Sequence, residues 1–239
     1  MKIAVFSDVH ANKHALRAVL ADIAGRGPDL VVCLGDLVGY GAFPDDVVQV
    51  IEENAIPTVM GNYDDAIANG RMVCGCDYKD DAARERGMRS ILWTTENTGR
   101  SSKLFMQTLP ETITRKAGLY NVLFVHGSPR RLNEYLYEDA PAGYVLSMME
   151  EARASVLVCG HTHLFYHRVI GGRHIINAGS VGRPGHGDPR AVYALLDVAE
   201  ESVNVQFIKV PYDYEAAARA VESAGLPAAF AATIRTGLL

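Results

Sequence analysis

The sequence predicts an α/β fold: two mixed β-sheets face to face with helices outside, a four-layer αββα sandwich with a small helical insertion. Three observations lead there. In the first sixty residues, short apolar runs alternate with stretches of helical spacing, which implies right-handed crossovers and parallel pairing. In the second half, paired runs are separated by tight Gly-containing turns, which implies hairpins. Between the halves, residues 64–110 hold no convincing strand. Residues 1–239 therefore read as one domain, with 64–110 as a helical insertion or cap and 212–239 as C-terminal helices.

Each element has its own signal. Lys2–Ser7 is an apolar strand. His14–Ala24 carries Leu16, Val19, Leu20 and Ile23 at helical spacing, and Gly25 to Pro28 stops it. Leu30–Leu34 is a buried strand, and the helix from Pro44 to Glu53 opens on a proline suited to a first turn. Pro57–Met60 reads as a short strand. Lys79–Glu96 is a charged amphipathic helix with Met88, Ile91, Leu92 and Trp93 on one side. Ser101–Leu109 is a second helix, with Leu104, Phe105 and Leu109 apolar, closed by Pro110. These two helices are either a cap beside a site or a packing layer. Strands Thr112–Lys116 and Leu119–Val125 turn on Ala117-Gly118. A helix Ala142–Ala152 and a buried strand Val156–Cys159 follow. Two hairpins come next, Phe165–Ile170 with Arg173–Asn177, and Ala191–Val198 with Ser202–Pro211. Ala-rich helices Tyr214–Ala224 and Ala228–Arg235 end the chain, with Phe230, Ile234 and Leu238 suited to packing on the domain or on a second subunit.

Composition narrows the function. Of 239 residues, 49% are hydrophobic, enough for a substantial core. A net charge of -5 argues against a stable nucleic-acid partner, which would call for a basic face. No apolar run is long enough for a bilayer, and the N-terminus enters a strand without a secretory pattern. Cys33 and Cys159 sit in apolar strands as buried thiols, and Cys74-Gly75-Cys76 matches no common structural zinc spacing and reads as a loop feature. A reduced, cytoplasmic setting is the expectation.

The chemistry sits at strand ends. Five apolar runs each deliver a polar donor just past their last residue: Asp8 and His10, Asp36, Asn62, His126, and His161 with His163. Ligand sites in open α/β sheets form at those carboxyl ends, so the side chains are expected to converge on metal, with Asp36 shared. Asp8-x-His10 by itself reads as readily as a helix cap or turn. His161-x-His163 is stronger, because alternate positions of an extended segment point to one side. Asp, Asn and His donors suit manganese, iron, zinc or cobalt better than magnesium or calcium, and the lack of cysteine argues against structural zinc.

In this order, Asp8-x-His10, Gly35-Asp36, Gly61-Asn62-x-Asp64, His126-Gly127 and Gly160-His161-x-His163 resemble the calcineurin-like metallophosphoesterase superfamily, from residue 1 to about residue 210. Asp8-Val9-His10-Ala11-Asn12, His126-Gly127-Ser128-Pro129-Arg130 and Asn177-Ala178-Gly179-Ser180 resemble its small bacterial branch of phosphodiesterases and dinucleoside polyphosphate hydrolases. The resemblance implies two divalent transition metals, manganese first, with iron, zinc, nickel or cobalt as alternatives. One metal would take Asp8, His10 and His163; the other Asn62, His126 and His161; Asp36 would bridge them through its two oxygens. A hydroxide between metals roughly 3.5–4 Å apart would attack phosphorus in line.

Tyr63 departs from the pattern, which usually places histidine there, near the leaving group and oriented by the aspartate matching Asp64. A phenol with a pKa near 10 is a poor proton donor at neutral pH. Tyr63 and Asp64 are the candidate catalytic pair, although Tyr63 reads as well as a packing residue. Arg183, Arg130 and Asn12 are the candidate substrate contacts, with solvated charge the alternative for Arg130 and helix capping for Asn12. The expected partner is a small phosphorylated molecule, possible nucleotides included, and the expected reaction is hydrolysis of a phosphodiester or phosphoanhydride. The rival readings are a phosphomonoesterase or protein phosphatase, and an inactive scaffold on the same fold.

Overall fold

A computed structural model describes residues Met1–Leu239. Nine strands form two sheets. The first runs β2-β1-β8-β9 and the second β3-β4-β5-β7-β6. In the first sheet, β1 (Lys2–Phe6) pairs parallel with β2 (Leu30–Cys33) and antiparallel with β8 (Ala191–Val198), which pairs with β9 (Val203–Val210). In the second, β4 (Tyr120–Val125), β5 (Val156–Cys159) and β7 (Arg173–Asn177) are parallel. Strands β3 (Thr112–Ala117) and β6 (Tyr166–Ile170) close its edges antiparallel.

Strand alternation explains the layering. Side chains two apart share a face, so Ile3 and Val5 point one way and Ala4 and Phe6 the other. The first pair joins Val32, Leu34, Phe124, Val158 and Ile176 in the core between the sheets. The second pair joins a larger core under α1 (Lys13–Arg26), α2 (Pro44–Glu53), α7 (Tyr214–Ser223) and α8 (Ala228–Thr236). On the far side of the second sheet, Leu123, Leu157 and Ile175 meet Val145, Met148 and Met149 of α6 (Ala142–Glu151). Both faces of both sheets are thus covered, in the expected order αββα.

Five details differ from expectation. Pro57–Met60 is not a ladder strand but a single parallel bridge of Thr58 to Cys33. Pro57 has no N–H to give, and Met60 N donates to Pro110 O at 2.8 Å instead of continuing the ladder. The chain then turns at once into α3 (Asn62–Ala68), a short helix the sequence reading passed over. In α4 (Asp81–Asn97) the buried residues are Gly87, Ser90, Ile91 and Thr94, whereas Met88 and Leu92 are exposed. Small residues let this helix lie close to its neighbours: a Cβ at Gly87 would sit 2.1 Å from the Tyr78 hydroxyl. In α5 (Arg100–Gln107), Met106 is the anchor and Leu104 is exposed. The β3–β4 turn falls at Gly118-Leu119, one residue later than read.

The C-terminal Phe230 and Ile234 pack into this chain's own helix-side core, and Leu238 is exposed. No helix is long and apolar enough to cross a membrane.

Candidate metal centre

Loops at the carboxyl ends of β1, β2, β4 and β5, with the first turn of α3, meet at one end of the sandwich. Asp8, His10, Asp36, Asn62, His126, His161 and His163 are all buried there. They form two clusters, Asp8 with His10 and His163, and Asp36 with His126 and His161. Asn62 belongs beside the second, its Oδ1 lying 2.9 Å from His126 Nε2.

Hydrogen bonds set the orientation of the rings. His10 Nδ1 donates to Val38 O at 3.1 Å, His126 Nδ1 to Leu34 O at 2.7 Å, and His163 Nδ1 to Arg183 O at 2.6 Å. Each bond keeps the proton on Nδ1 and leaves the Nε2 lone pair facing inward, the arrangement a metal-binding imidazole needs. His161 turns its Nδ1 inward instead, 3.2 Å from His126 Nε2. Burial lowers the pKa of His10 and His126 and takes His161 down to about 3, so these rings are neutral donors.

Asp36 stands between the clusters. Its Oδ2 is 3.7 Å from His10 Nε2 and 3.6 Å from His126 Nε2. Its Oδ1 accepts from Tyr63 N at 2.8 Å. A single oxygen, not the two expected from sequence, therefore addresses both clusters. Burial, and then the carboxylates of Asp64 and Asp8, push the Asp36 pKa well up. Asp8 Oδ1 is buried with no hydrogen-bond partner. A buried carboxylate oxygen without a partner is costly, so this donor set fits divalent cations.

The backbone here is strained. Asp8, His10, Asp36, His161 and His163 have φ of +54°, +47°, +51°, +65° and +61°. Each such residue costs about 1–3 kcal/mol and persists only where its surroundings overdetermine it. Cross-links between the loops do this. Asp8 N donates to Gly35 O, His10 N to Asp36 O, Gly182 N to Asp8 O, and His161 N to Asp8 Oδ2. Gly61 allows a close approach to Asp36, since a Cβ there would lie 2.1 Å from Asp36 N.

Asp64 is structural glue rather than a free acid. Its Oδ1 accepts from Leu37 N at 2.8 Å and its Oδ2 from Gly61 N at 2.9 Å, capping α3. Burial raises its pKa to about 6 while these N–H groups pull it down. Tyr63 is fully buried, its ring 5.6 Å from His10 and 4.7 Å from Tyr40, and burial raises its phenol pKa.

A cavity of about 380 Å³ opens onto the clusters, lined by His10, Asp36, Tyr63, His161, Arg86 and Arg183 among others. Arg183 lies over the Tyr40 ring at 4.2 Å. Arg130 does not reach this cavity. It pairs with Glu151 at 2.6 Å and lies over Tyr144, on the far side of the His126 loop. Asn12 does not line it either: its Oδ1 accepts from Ala15 N, capping α1, and its Nδ2 donates to Gly182 O. Arg130 is thereby corrected as a substrate contact and Asn12 takes the capping role weighed for it, because each side chain spends its polar atoms on local bonds. Five further residues have places at the site that the sequence did not assign them. Ala83, Arg86 and Gly87, one face of α4, line the cavity, but Arg86 resembles any other helix charge. Tyr135 lies 4.0 Å from the His161 ring, out of an irregular loop. Asn177 Nδ2 donates to Gly160 O and Thr162 Oγ1, fixing the histidine loop. His167 and His174 pair with each other on the β6–β7 hairpin, away from the centre.

Buried neutral imidazoles and carboxylates around a cavity that cations can enter make a candidate metal-binding site. A family model described as the calcineurin-like phosphoesterase superfamily domain matches residues 1–201. Uncharacterized protein MJ0912 of Methanocaldococcus jannaschii is 31% identical, over 94% of this chain and 93% of its own. A metallophosphoesterase from Sphaerobacter thermophilus superposes with a TM-score of 0.79 at 31% identity, covering 100% of this chain and 99% of that one. Hypothetical protein PH1004 from Pyrococcus horikoshii OT3 shares the fold, with a TM-score of 0.83 at 22% identity, covering 99% and 98%. The chain belongs to the calcineurin-like phosphoesterase superfamily and is a metal-dependent phosphoesterase hydrolase.

Proposed function

We propose that the protein hydrolyses small phosphodiesters or phosphoanhydrides at a dinuclear centre, with manganese as the first candidate metal. The observation that carries this reading is the position of Asp36 Oδ2, nearly equidistant from one histidine of each cluster. Asp8, His10 and His163 would hold one cation, Asn62, His126 and His161 the other, and Asp36 both. When bound, such a pair of cations supplies Lewis acidity that makes water nucleophilic near neutral pH and neutralises charge on the phosphoryl oxygens. The chain's own residues do the rest. The Nδ1–carbonyl bonds keep the rings fixed and neutral, and Asp64 fixes the turn that presents Asn62. Arg183 and Arg86 line the approach and offer guanidinium forks to phosphate oxygens.

Tyr63 bears on the choice of substrate. No imidazole stands where the family usually has one, and the buried phenol keeps its proton. Leaving groups that need protonation are therefore poorly served, which favours aryl phosphodiesters and phosphoanhydrides over alkyl monoesters.

The test is a screen of the chelator-stripped protein against Mn, Fe, Zn, Ni and Co, with aryl phosphodiesters, diadenosine polyphosphates, cyclic nucleotides and phosphoserine. Metal-stimulated turnover of the first two classes is expected. A metal-loaded protein inert on every substrate would point to a scaffold.

A further inference from the structure

We infer that Cys74 and Cys76 form a reversible dithiol–disulfide pair that controls how Asn62 is held. This inference rests on the proposed role of Asn62 at the metal centre. All four cysteines are free, but these two differ from the others. Cys33 and Cys159 are sealed in strands at 0% exposure. The sulfurs of Cys74 and Cys76 lie 2.6 Å apart, across a glycine at φ +73° that bends the chain back on itself. Little motion separates this approach from a bond of about 2.05 Å.

Both residues anchor the same amide. Asn62 Nδ2 donates to Cys74 O at 3.0 Å and to Cys76 Sγ at 3.3 Å. The other end of that amide, Oδ1, is the atom beside His126. Cys76 also lines the cavity, so small oxidants reach it by the route substrate takes.

The chemistry balances with hydrogen peroxide as the oxidant. Cys76 sulfur attacks one peroxide oxygen, the O–O bond breaks, and a sulfenic acid and water form. Cys74 sulfur then displaces the hydroxyl from the sulfenic acid, giving the disulfide and a second water. Two thiols lose two hydrogens and two electrons, and one peroxide becomes two waters. Disulfides in so short a loop are strained and easily reduced, which suits a switch rather than a staple. Once bonded to Cys74, the Cys76 sulfur is drawn from Asn62, and the amide loses one of its two anchors. Losing an outer partner of a metal-binding group costs about 10–100-fold in affinity or activity.

The experiment treats full-length, manganese-loaded protein with hydrogen peroxide, quenches it with catalase, and divides it. Peptide mass mapping should find a Cys74–Cys76 disulfide, with Cys33 and Cys159 still thiols. Manganese content or aryl phosphodiester turnover should fall about tenfold and recover on phosphine reduction. Cys74→Ser, compared with its own untreated form, should show no reversible loss. Four persisting thiols, over-oxidation without a disulfide, or a disulfide that changes neither manganese content nor rate each overturn the switch. If the reduced protein binds manganese but cleaves no phosphodiester, the proposed function fails instead, and the mass and metal readouts still decide the switch.

Discussion

The Nε2 atoms of His10 and His163 face each other at 3.1 Å. Both rings give their Nδ1 protons to backbone carbonyls. Asp8 Oδ1 lies 3.8 Å and 3.4 Å from the same two nitrogens. Two lone pairs and a carboxylate oxygen in one dry place repel one another unless a cation is shared. His163→Ala should therefore remove one of the two manganese ions proposed to bind each chain. Turnover should fall by at least about 100-fold, more than losing an outer partner costs. Elemental analysis after dialysis, beside steady-state kinetics, checks both numbers.

Asp36→Asn tests the shared oxygen. The amide has one neutral oxygen where the carboxylate offered Oδ2 to both clusters. Binding at both positions should weaken together, and kcat should fall about 100–1,000-fold. Loss of only one ion would refute a bridging role.

At Gly61 the effect is steric. A Cβ would fall 2.1 Å from Asp36 N and 2.2 Å from Asp36 Oδ1. Gly61→Ala should cost about 1–3 kcal/mol of stability and displace Asp36, so thermal unfolding and metal content should drop together. A stable variant with full metal content would remove the close approach from the account.

Tyr63 carries a prediction with a sign in pH. Burial raises its pKa, so the phenol stays protonated as pH rises and adds no basic limb below about pH 10. Tyr63→His adds a group that loses its proton nearer neutrality. Its gain should be larger on alkyl than on aryl esters and should fade as pH rises. Equal gains on both ester classes would assign Tyr63 to packing alone.

The arginines separate by location. Arg86→Ala and Arg183→Ala should each raise KM severalfold, because both side chains border the cavity. Arg130→Ala should leave KM unchanged, since its guanidinium is engaged with Glu151 and Ser147. Initial-rate measurements on one aryl phosphodiester decide all three.

The sequence by itself determined the layers and the donors. Alternation within Ile3–Phe6 and Leu123–Val125 dictates which side chains face the other sheet and which face helices, because pleating has a period of two. Placing Asp8, Asp36, His126 and His161 just beyond apolar runs is enough to collect them at one end of parallel strands. Tertiary structure alone decided the rest. That Asp36 Oδ2 lies between the two clusters depends on Gly61 backing against it, a contact between residues 25 apart in sequence. That Arg86 borders the cavity while Arg130 does not depends on how α4 and the His126 loop pack. Local patterns report the periodicity of a segment. They do not report which distant partner has claimed a side chain's polar atoms, and at Arg130 and Asn12 those partners settled the outcome.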